Sequence, residues 1–407
     1  VSNRQYDLVI FGATSFVGQI LCRYMVNFQG AGSTVNWAIA GRSQSKLDTL
    51  KKELGTKAEN LPVIVADAAD EMALKAMCDQ ARVIISTVGP YALYGEPLVK
   101  VCAESGTDYC DLTGEVQWIK RMLDRYESTA QSSGARIVHC CGFDSIPSDL
   151  GVFFLQQQAQ TQFGADCVNV KMRVKALRGE FSGGTVASII NVTKEVVADP
   201  ALRKDLANPY LICPADSGAK VRQKNVTLAT YDSDFDAWSA PFVMSAINTR
   251  VVLRSNALNG QIDGFQYDEA MLTGKGAKGW TMAQGVTLGL GGFVAGAALK
   301  PTRWLLEKYV VPAPGEGPSR ESQEKGFYDL RFKGTTRDGQ SLQVKVTGDR
   351  DPGYGSTAKM LAQAGLCLAF DLNGGERQGG FWTPSTLLGE ALLSRLEKHA
   401  GLTFERV

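Results

Sequence analysis

Gly12, Ser15 and Gly18 fall inside VIFGATSFVGQIL, Val9–Leu21, where an apolar strand pattern meets a glycine turn and then a helical pattern. Such a turn can hold a dinucleotide. The first glycine makes the tight exit from the strand, a middle one lets backbone reach the pyrophosphate, and the last lets helix pack on strand. The usual G-x-G-x-x-G is absent, and G-x-x-S-x-x-G stands in its place. Ser15 sits at the expected helix start, where its hydroxyl can cap an unpaired helix N–H or donate to a phosphate at the positive helix end. Thr14, Phe16 and Val17 complete the candidate pyrophosphate segment. A strand–turn–helix without a ligand has the same pattern, so the turn alone does not decide.

The end of the next strand pattern, VNWAIA (Val35–Ala40), narrows the cofactor. A site built for NAD places Asp or Glu there, on the ribose hydroxyls. Here the strand runs into Gly41-Arg42-Ser43, with Lys46 one turn on and no carboxylate. A guanidinium fork suits a phosphate, so Arg42, Ser43 and Lys46 favour the 2′-phosphate of NADP over NAD. A solvated helix start would look the same. Asp67, after the third strand pattern, either accepts from an adenine amino group or caps a helix.

Chemistry on a substrate needs a proton donor beside the cofactor. Thr87-Val88-Gly89-Pro90 leaves the fourth strand pattern where a nicotinamide ribose would lie, and Tyr91, Tyr94, Glu115 and Asp144 are the candidate donors nearby. Each has a structural alternative. The tyrosines can pack on a ring, Glu115 can cap a helix starting near Val116, and Asp144 with Ser145 can hold a turn before Pro147, with Ser148 capping the helix beyond. His139 reads as a packed strand residue. Only two histidines occur, so a multi-histidine metal site is excluded and no metal is expected.

The elements that must position these residues alternate. Tyr6–Phe11, Val35–Ala40, Leu61–Ala66, Ala81–Val88, Asp108–Leu112 and Arg136–Cys140 read as strands, separated by helical patterns at Ser15–Phe28, Ser43–Leu54, Glu71–Gln80, Pro97–Glu104 and Val116–Ser132. Alternation with short turns implies right-handed crossovers and a doubly wound parallel sheet, ligands lying beyond the strand carboxyl ends. After about Leu150 the rhythm changes. Val168–Leu177, Val251–Leu253, Phe327–Phe332 and Leu342–Val346 read as strands of a mixed or antiparallel sheet with a solvated face, and Ala187–Val197 as a helix. Pro312–Pro318 is a loop by composition. Ser356–Leu372 and Pro384–His399 read as helices whose apolar stripes need a partner. The expected division is 1–150, a nucleotide-binding domain; 151–347, a second α/β domain for substrate or dimerisation; and 348–407, helices returning to the first.

Several stretches together resemble the saccharopine dehydrogenase-like oxidoreductases, the family that includes the trans-acting enoyl reductases. They are Gly12–Gly18, STVGPYALYGEPLVKVC (Ser86–Cys102), YCDLTGE and CGFDSIPSDLG between Tyr109 and Gly151, SGGT (Ser182–Thr185), the PGEGP loop, GDRDPGYGSTAKML (Gly348–Leu361) and GGFWTPS (Gly379–Ser385). The family turn normally has glycine where Ser15 stands. The resemblance implies a Rossmann domain binding NAD(P), a second α/β domain and a returning C-terminal segment. It implies hydride transfer to an enoyl or other lipid-like substrate, or to an amino-acid imine as in saccharopine reductases. An imine reductase would want paired arginines for carboxylates, and Arg173 and Arg178 are the candidates. A non-catalytic, membrane-associated NADP-binding protein is the third reading.

A formal net charge of +1 without a basic block argues against nucleic acid as a partner. Nine scattered cysteines without a C-x-x-C pair fit a reduced compartment, and no signal-peptide pattern opens the sequence, so a cytoplasmic protein is expected. One stretch stands apart. Gly279–Leu299, GWTMAQGVTLGLGGFVAGAAL, is uncharged between Lys278 and Lys300, with Trp280 at its start and Trp304 past its end. It reads as a buried helix, as an apolar surface in reversible contact with a bilayer or lipid chain, or as a span. The expectation is a peripheral membrane contact beside a substrate entrance, and a homodimer through the second domain.

Overall fold

The computed structural model describes residues 4–29, 35–179, 183–218, 220–260, 262–309, 317–372 and 378–407. Ser182 of the SGGT stretch and residues 312–316 of the proline-rich loop lie outside them. The chain forms two compact units. One comprises residues 1–143, 312–318 and 353–400, the other residues 144–311, 319–352 and 401–407.

The first unit opens with β1 Tyr6–Phe11, α1 Phe16–Gln29, β2 Trp37–Gly41, α2 Gln44–Glu53, β3 Val63–Val65, α3 Glu71–Cys78, β4 Ala81–Ser86, α4 Tyr91–Tyr94, α5 Glu96–Ser105, β5 Asp108–Asp111, α6 Val116–Ser133 and β6 Arg136–Val138. The second unit runs through α7 Ile146–Phe163, β7 Cys167–Arg178, α8 Gly183–Ala198, α9 Pro200–Ala207, β8 Thr230–Asp232, β9 Ala237–Pro241, α10 Ser245–Leu258, β10 Gln266–Gly274, α11 Gly276–Ala298, α12 Lys300–Tyr309, α13 Arg320–Glu324, β11 Phe327–Thr336 and β12 Ser341–Gly348. The chain then returns to the first unit with α14 Thr357–Phe370 and β13 Gly380–Trp382, and ends in the second with β14 Leu402–Arg406.

The first sheet has the order β13-β6-β5-β4-β1-β2-β3, and every pairing is parallel. Parallel strands are covered on both faces and so read as continuous apolar runs rather than alternations. β1 and β4 do so: Leu8, Val9, Ile10, Val83, Ile84 and Ile85 are all fully buried. The cover comes partly from far along the chain. α14 packs on β1, β4, β5 and α1, and Thr357 through Ala369 are buried with the exception of Lys359. Gly365 lets it approach, since a Cβ there would meet Ile85 Cδ1 at 2.4 Å.

The second sheet, β14-β12-β11-β7-β10-β9-β8, is mixed: β7 and β10 run parallel and the other neighbours antiparallel. The expected two-part α/β architecture is therefore present, one sheet doubly wound and one mixed. Within it one strand expectation fails. Val251–Leu253 belongs to α10. Three apolar residues fit either period, and the polar neighbours that hid the helix, Asn248, Thr249, Arg254 and Ser255, are themselves buried. β13 also escaped the sequence, being three residues beyond a loop.

Candidate functional site

The glycine turn joins β1 to α1. Gly12 has φ +85°, a conformation that favours glycine, and a Cβ on it would lie 2.7 Å from both Thr87 Oγ1 and Val88 Cγ2. A Cβ on Gly18 would lie 2.2 Å from the Gly12 carbonyl oxygen. The outer glycines thus serve turn and packing, as their spacing suggests. Ser15 occupies the helix cap: its Oγ accepts from Gly18 N at 2.9 Å and stands 2.9 Å from Thr87 Oγ1. The Thr87 hydroxyl donates to the Gly12 carbonyl at 2.9 Å, so the Ser15 proton goes to Thr87. Of the two roles open to Ser15, this geometry is the cap. The backbone N–H groups of Thr14, Phe16 and Val17 have no hydrogen-bond partner among the described residues. Aligned at the start of a 14-residue helix, they are what a pyrophosphate needs.

Two distant motifs meet at this turn. Tyr354, from the DPGYGS stretch, packs edge-on against Phe16 at 4.8 Å. Gly317, from the PGEGP loop, lies so close that a Cβ would meet the Phe16 ring at 2.3 Å.

At the end of β2, Arg42 and Lys46 are exposed. Ser43 is the α2 N-cap, its side chain accepting from Lys46 N at 3.4 Å. No carboxylate follows β2 before Asp48. Asp67 accepts from Ala69 N at 2.9 Å within a turn, and the α3 cap is Asp70.

Thr87-Val88-Gly89-Pro90 leaves β4 at its carboxyl end, with the Gly89–Pro90 peptide cis. Beyond it α4 is clamped. Glu115, fully buried, accepts from Tyr91 N at 2.8 Å and Ala92 N at 3.0 Å. It caps α4 across space rather than α6, which it precedes. The Tyr91 hydroxyl donates to Ser86 O at 3.0 Å, and the ring is buried against Trp118. Leu93 and Tyr94 are on the exposed side, 59% and 50% accessible.

A further clasp at this edge was not legible. Asp111, fully buried at the end of β5, receives the Tyr109 hydroxyl at 2.9 Å, Thr113 N at 3.1 Å and Cys140 N at 3.2 Å, and pairs with His139 Nδ1 at 2.7 Å. His139 Nε2 has no hydrogen-bond partner among the described residues and is enclosed by the rings of Tyr109, Trp118 and Phe381. The clasp ties β5 to β6 and holds Cys140 at φ +64°.

In the second unit the DSIPSDLG part of the motif, from Asp144 on, resolves into a buried polar network. Asp144 is half-buried. Ser145 Oγ donates to Asn248 Oδ1 at 3.1 Å, Asn248 Nδ2 donates to Ser148 Oγ at 3.1 Å and Glu269 Oε2 at 3.0 Å, and the Tyr267 hydroxyl donates to Glu269 Oε1 at 2.7 Å. Ser255 donates to Asp149 at 2.5 Å. Burial pushes the Glu269 carboxyl up to about 7, against the hydrogen bonds from Ser148, Tyr267 and Asn248. Ser148 lies inside α7 rather than at its cap. Arg173 is also spoken for: Nε bonds Asp232 at 2.7 Å and Nη1 lies 2.7 Å from Asp268, all three buried. Arg178 is exposed.

Residues 8–138 match the family model described as the saccharopine dehydrogenase NADP binding domain. The chain is 37% identical over 413 residues to the trans-acting enoyl reductase of Mycobacterium tuberculosis, covering 97% of this chain and 96% of that protein. It is 35% identical over 410 residues to that of Mycobacterium leprae, with the same coverage. Among solved structures, apo saccharopine dehydrogenase (L-Glu forming) from Saccharomyces cerevisiae shares the fold with a TM-score of 0.53 at 14% identity, over 99% of this chain and 100% of that one.

Proposed function

Since the chain belongs to the saccharopine dehydrogenase-like oxidoreductases, with an NADP-binding first unit, we propose that it reduces the enoyl group of a lipid-like acyl substrate. The full-length likeness to trans-acting enoyl reductases carries this reading. NADPH, when bound, supplies the hydride. The protein's part is to orient and to deliver a proton.

The amides of Thr14, Phe16 and Val17 take the pyrophosphate, Arg42 with Ser43 and Lys46 the 2′-phosphate, and Thr87–Pro90 the nicotinamide ribose. Gly12 and Gly18 keep that backbone close, Ser15 fixes the first helical turn, and Asp67 shapes the adenine side. Glu115 and Tyr91 act by positioning, because the carboxylate is filled by two amides and the hydroxyl proton is committed to Ser86. Tyr94 and Asp144 remain the proton-donor candidates. An imine reductase using Arg173 as its carboxylate clamp is disfavoured, since that guanidinium is held by two aspartates. A lipid-like substrate is met at a bilayer, and residues 279–299 make that reversible contact. The second sheet is the proposed dimer surface, which sedimentation tests.

Titration with NADPH and NADH, followed by turnover assays with trans-2-enoyl thioesters and with an amino acid plus a 2-oxo acid, tests the assignment. NADPH consumption with an enoyl thioester is expected. Turnover of the imine pair alone replaces the reading with the saccharopine-type reaction. Tight nucleotide binding with no turnover of either class replaces it with a non-catalytic binder.

A further inference from the structure

α11 is a surface helix with a reversed character. It has 23 residues, about 34 Å at 1.5 Å per residue, yet only Gly279, Ala283 and Ala297 are buried. These fall on one narrow stripe facing the neighbours β9, β10 and α8. Several large apolar side chains look outward instead, while Val286, Leu290 and Phe293 are half-buried. Trp280, Met282, Leu288, Val294 and Leu299 are 45–74% exposed, and on α12 Trp304 and Leu305 are 56% and 46% exposed. Contiguous exposed apolar surface of this kind marks an interaction site.

The two helices form a fixed elbow. Their axes meet at 112°. Thr302 Oγ1 donates to Gly296 O at 2.6 Å and Leu299 O at 3.1 Å, closing the α11 carbonyl end. Two crossing axes define a plane, and a flat surface can touch both arms at once. Among the described residues no single helix is long and apolar enough to cross a membrane.

Charge selects the occupant. From Ala270 to Leu306 the sequence contains no Asp or Glu. Lys275 pairs with Asp236, while Lys278, Lys300 and Arg303 have no ion pair among the described residues. Lys308 Nζ lies 4.8 Å above the Trp304 ring. A second copy is a poor fit. A two-fold contact sets the same patch against itself and would bring these cations together. An anionic lipid surface fits both properties, since tryptophans settle at the headgroup level and lysines and arginines meet the phosphates.

We propose that the α11–α12 elbow docks on the surface of an anionic bilayer, with Trp280, Leu288 and Trp304 in the interface and Lys278, Lys300 and Arg303 on the headgroups. This rests on the membrane-contact part of the reading above and not on the reaction. Flotation of the full chain with phosphatidylcholine vesicles, alone or mixed with phosphatidylserine, tests it. Binding is expected to the mixed vesicles and to weaken with salt. Each cation removed in Lys300→Gln and Arg303→Gln should cost about fivefold in partitioning. Trp280→Ser with Trp304→Ser should abolish flotation while NADPH affinity is kept. Equal binding to both vesicle types overturns the anionic preference and leaves membrane contact standing. Binding to neither overturns both. A dimer in sedimentation that the tryptophan variant dissociates identifies the partner as a second copy and overturns the lipid surface.

Discussion

The two sheets carry their buried charges differently. In the parallel sheet the buried carboxylates of Asp111 and Glu115 lie at the strand carboxyl edge, and their acceptors are filled largely by backbone amides, hydroxyls and one imidazole. In the mixed sheet Arg173, Asp232 and Asp268 pair with one another, and Glu269 is held by side chains of α7, α10 and β10. The first arrangement freezes the loops that leave the strand carboxyl ends. The second fixes which helix lies on which strand. At the carboxyl edge of the first sheet buried charge fixes loops, and in the second sheet it fixes the packing of helix on strand.

The largest expected effect would break the second half of that contrast. Arg173→Met takes the shared guanidinium from two buried aspartates, leaving Asp232 only the more distant Lys171 at 3.7 Å, and should destabilise the second unit by about 3–5 kcal/mol in urea unfolding. An effect under about 1 kcal/mol would mean that the triad is solvated in solution. Next is Glu269→Gln. Its folded pKa is raised from 4.5 to about 7, so the native state holds the proton more tightly than the unfolded chain. That contribution is complete below about pH 4.5 and is lost as pH rises to about 7, on the order of 3 kcal/mol. The amide cannot ionise, so urea midpoints of the variant should fall less between about pH 5 and about pH 8 than those of the parent. Identical slopes would place the titration elsewhere.

Smaller effects sharpen the first half. Arg42→Ala should weaken NADPH by roughly 1.5–3 kcal/mol and leave NADH nearly unchanged; equal affinities in the parent protein would sink the 2′-phosphate assignment. Ser15→Gly should be the mildest. A cap exchanged for glycine costs only a few tenths of a kcal/mol in stability, and NADPH binding should hold or improve. A large loss of affinity would make the hydroxyl itself a phosphate ligand.

What the sequence revealed follows the same division. The β1 turn, Gly12, Gly18 and the basic end of β2 are local in the chain, and local patterns report them. Asp111 was missed because its second amide and its histidine come from Cys140 and His139, 29 and 28 residues away. In the sequence Glu115 offers a proton donor or a cap for the following helix, whereas the amides it binds lie 23 and 24 residues earlier. Asn248 and Glu269 gave no signal at all, since a polar residue in an apolar helix or strand looks like solvent exposure until its partners are known. The exposed elbow was ambiguous for the opposite reason. Apolar residues announce burial, and only the structure separates the stripe of Gly279, Ala283 and Ala297 from the outward Trp280 and Leu288.

The position of α14 has a consequence for synthesis. The parallel strands are complete in sequence by Val138 apart from β13, but the helix that covers β1, β4 and β5 begins at Thr357. On a ribosome adding about 5–20 residues per second, that face of the sheet waits on the order of ten seconds or more for its cover. During the wait a continuous apolar surface is presented to solvent, a substrate for any holdase that binds hydrophobic strands. A chain terminated before α14 never leaves that state, so an early stop codon should yield aggregate rather than a free nucleotide-binding fragment.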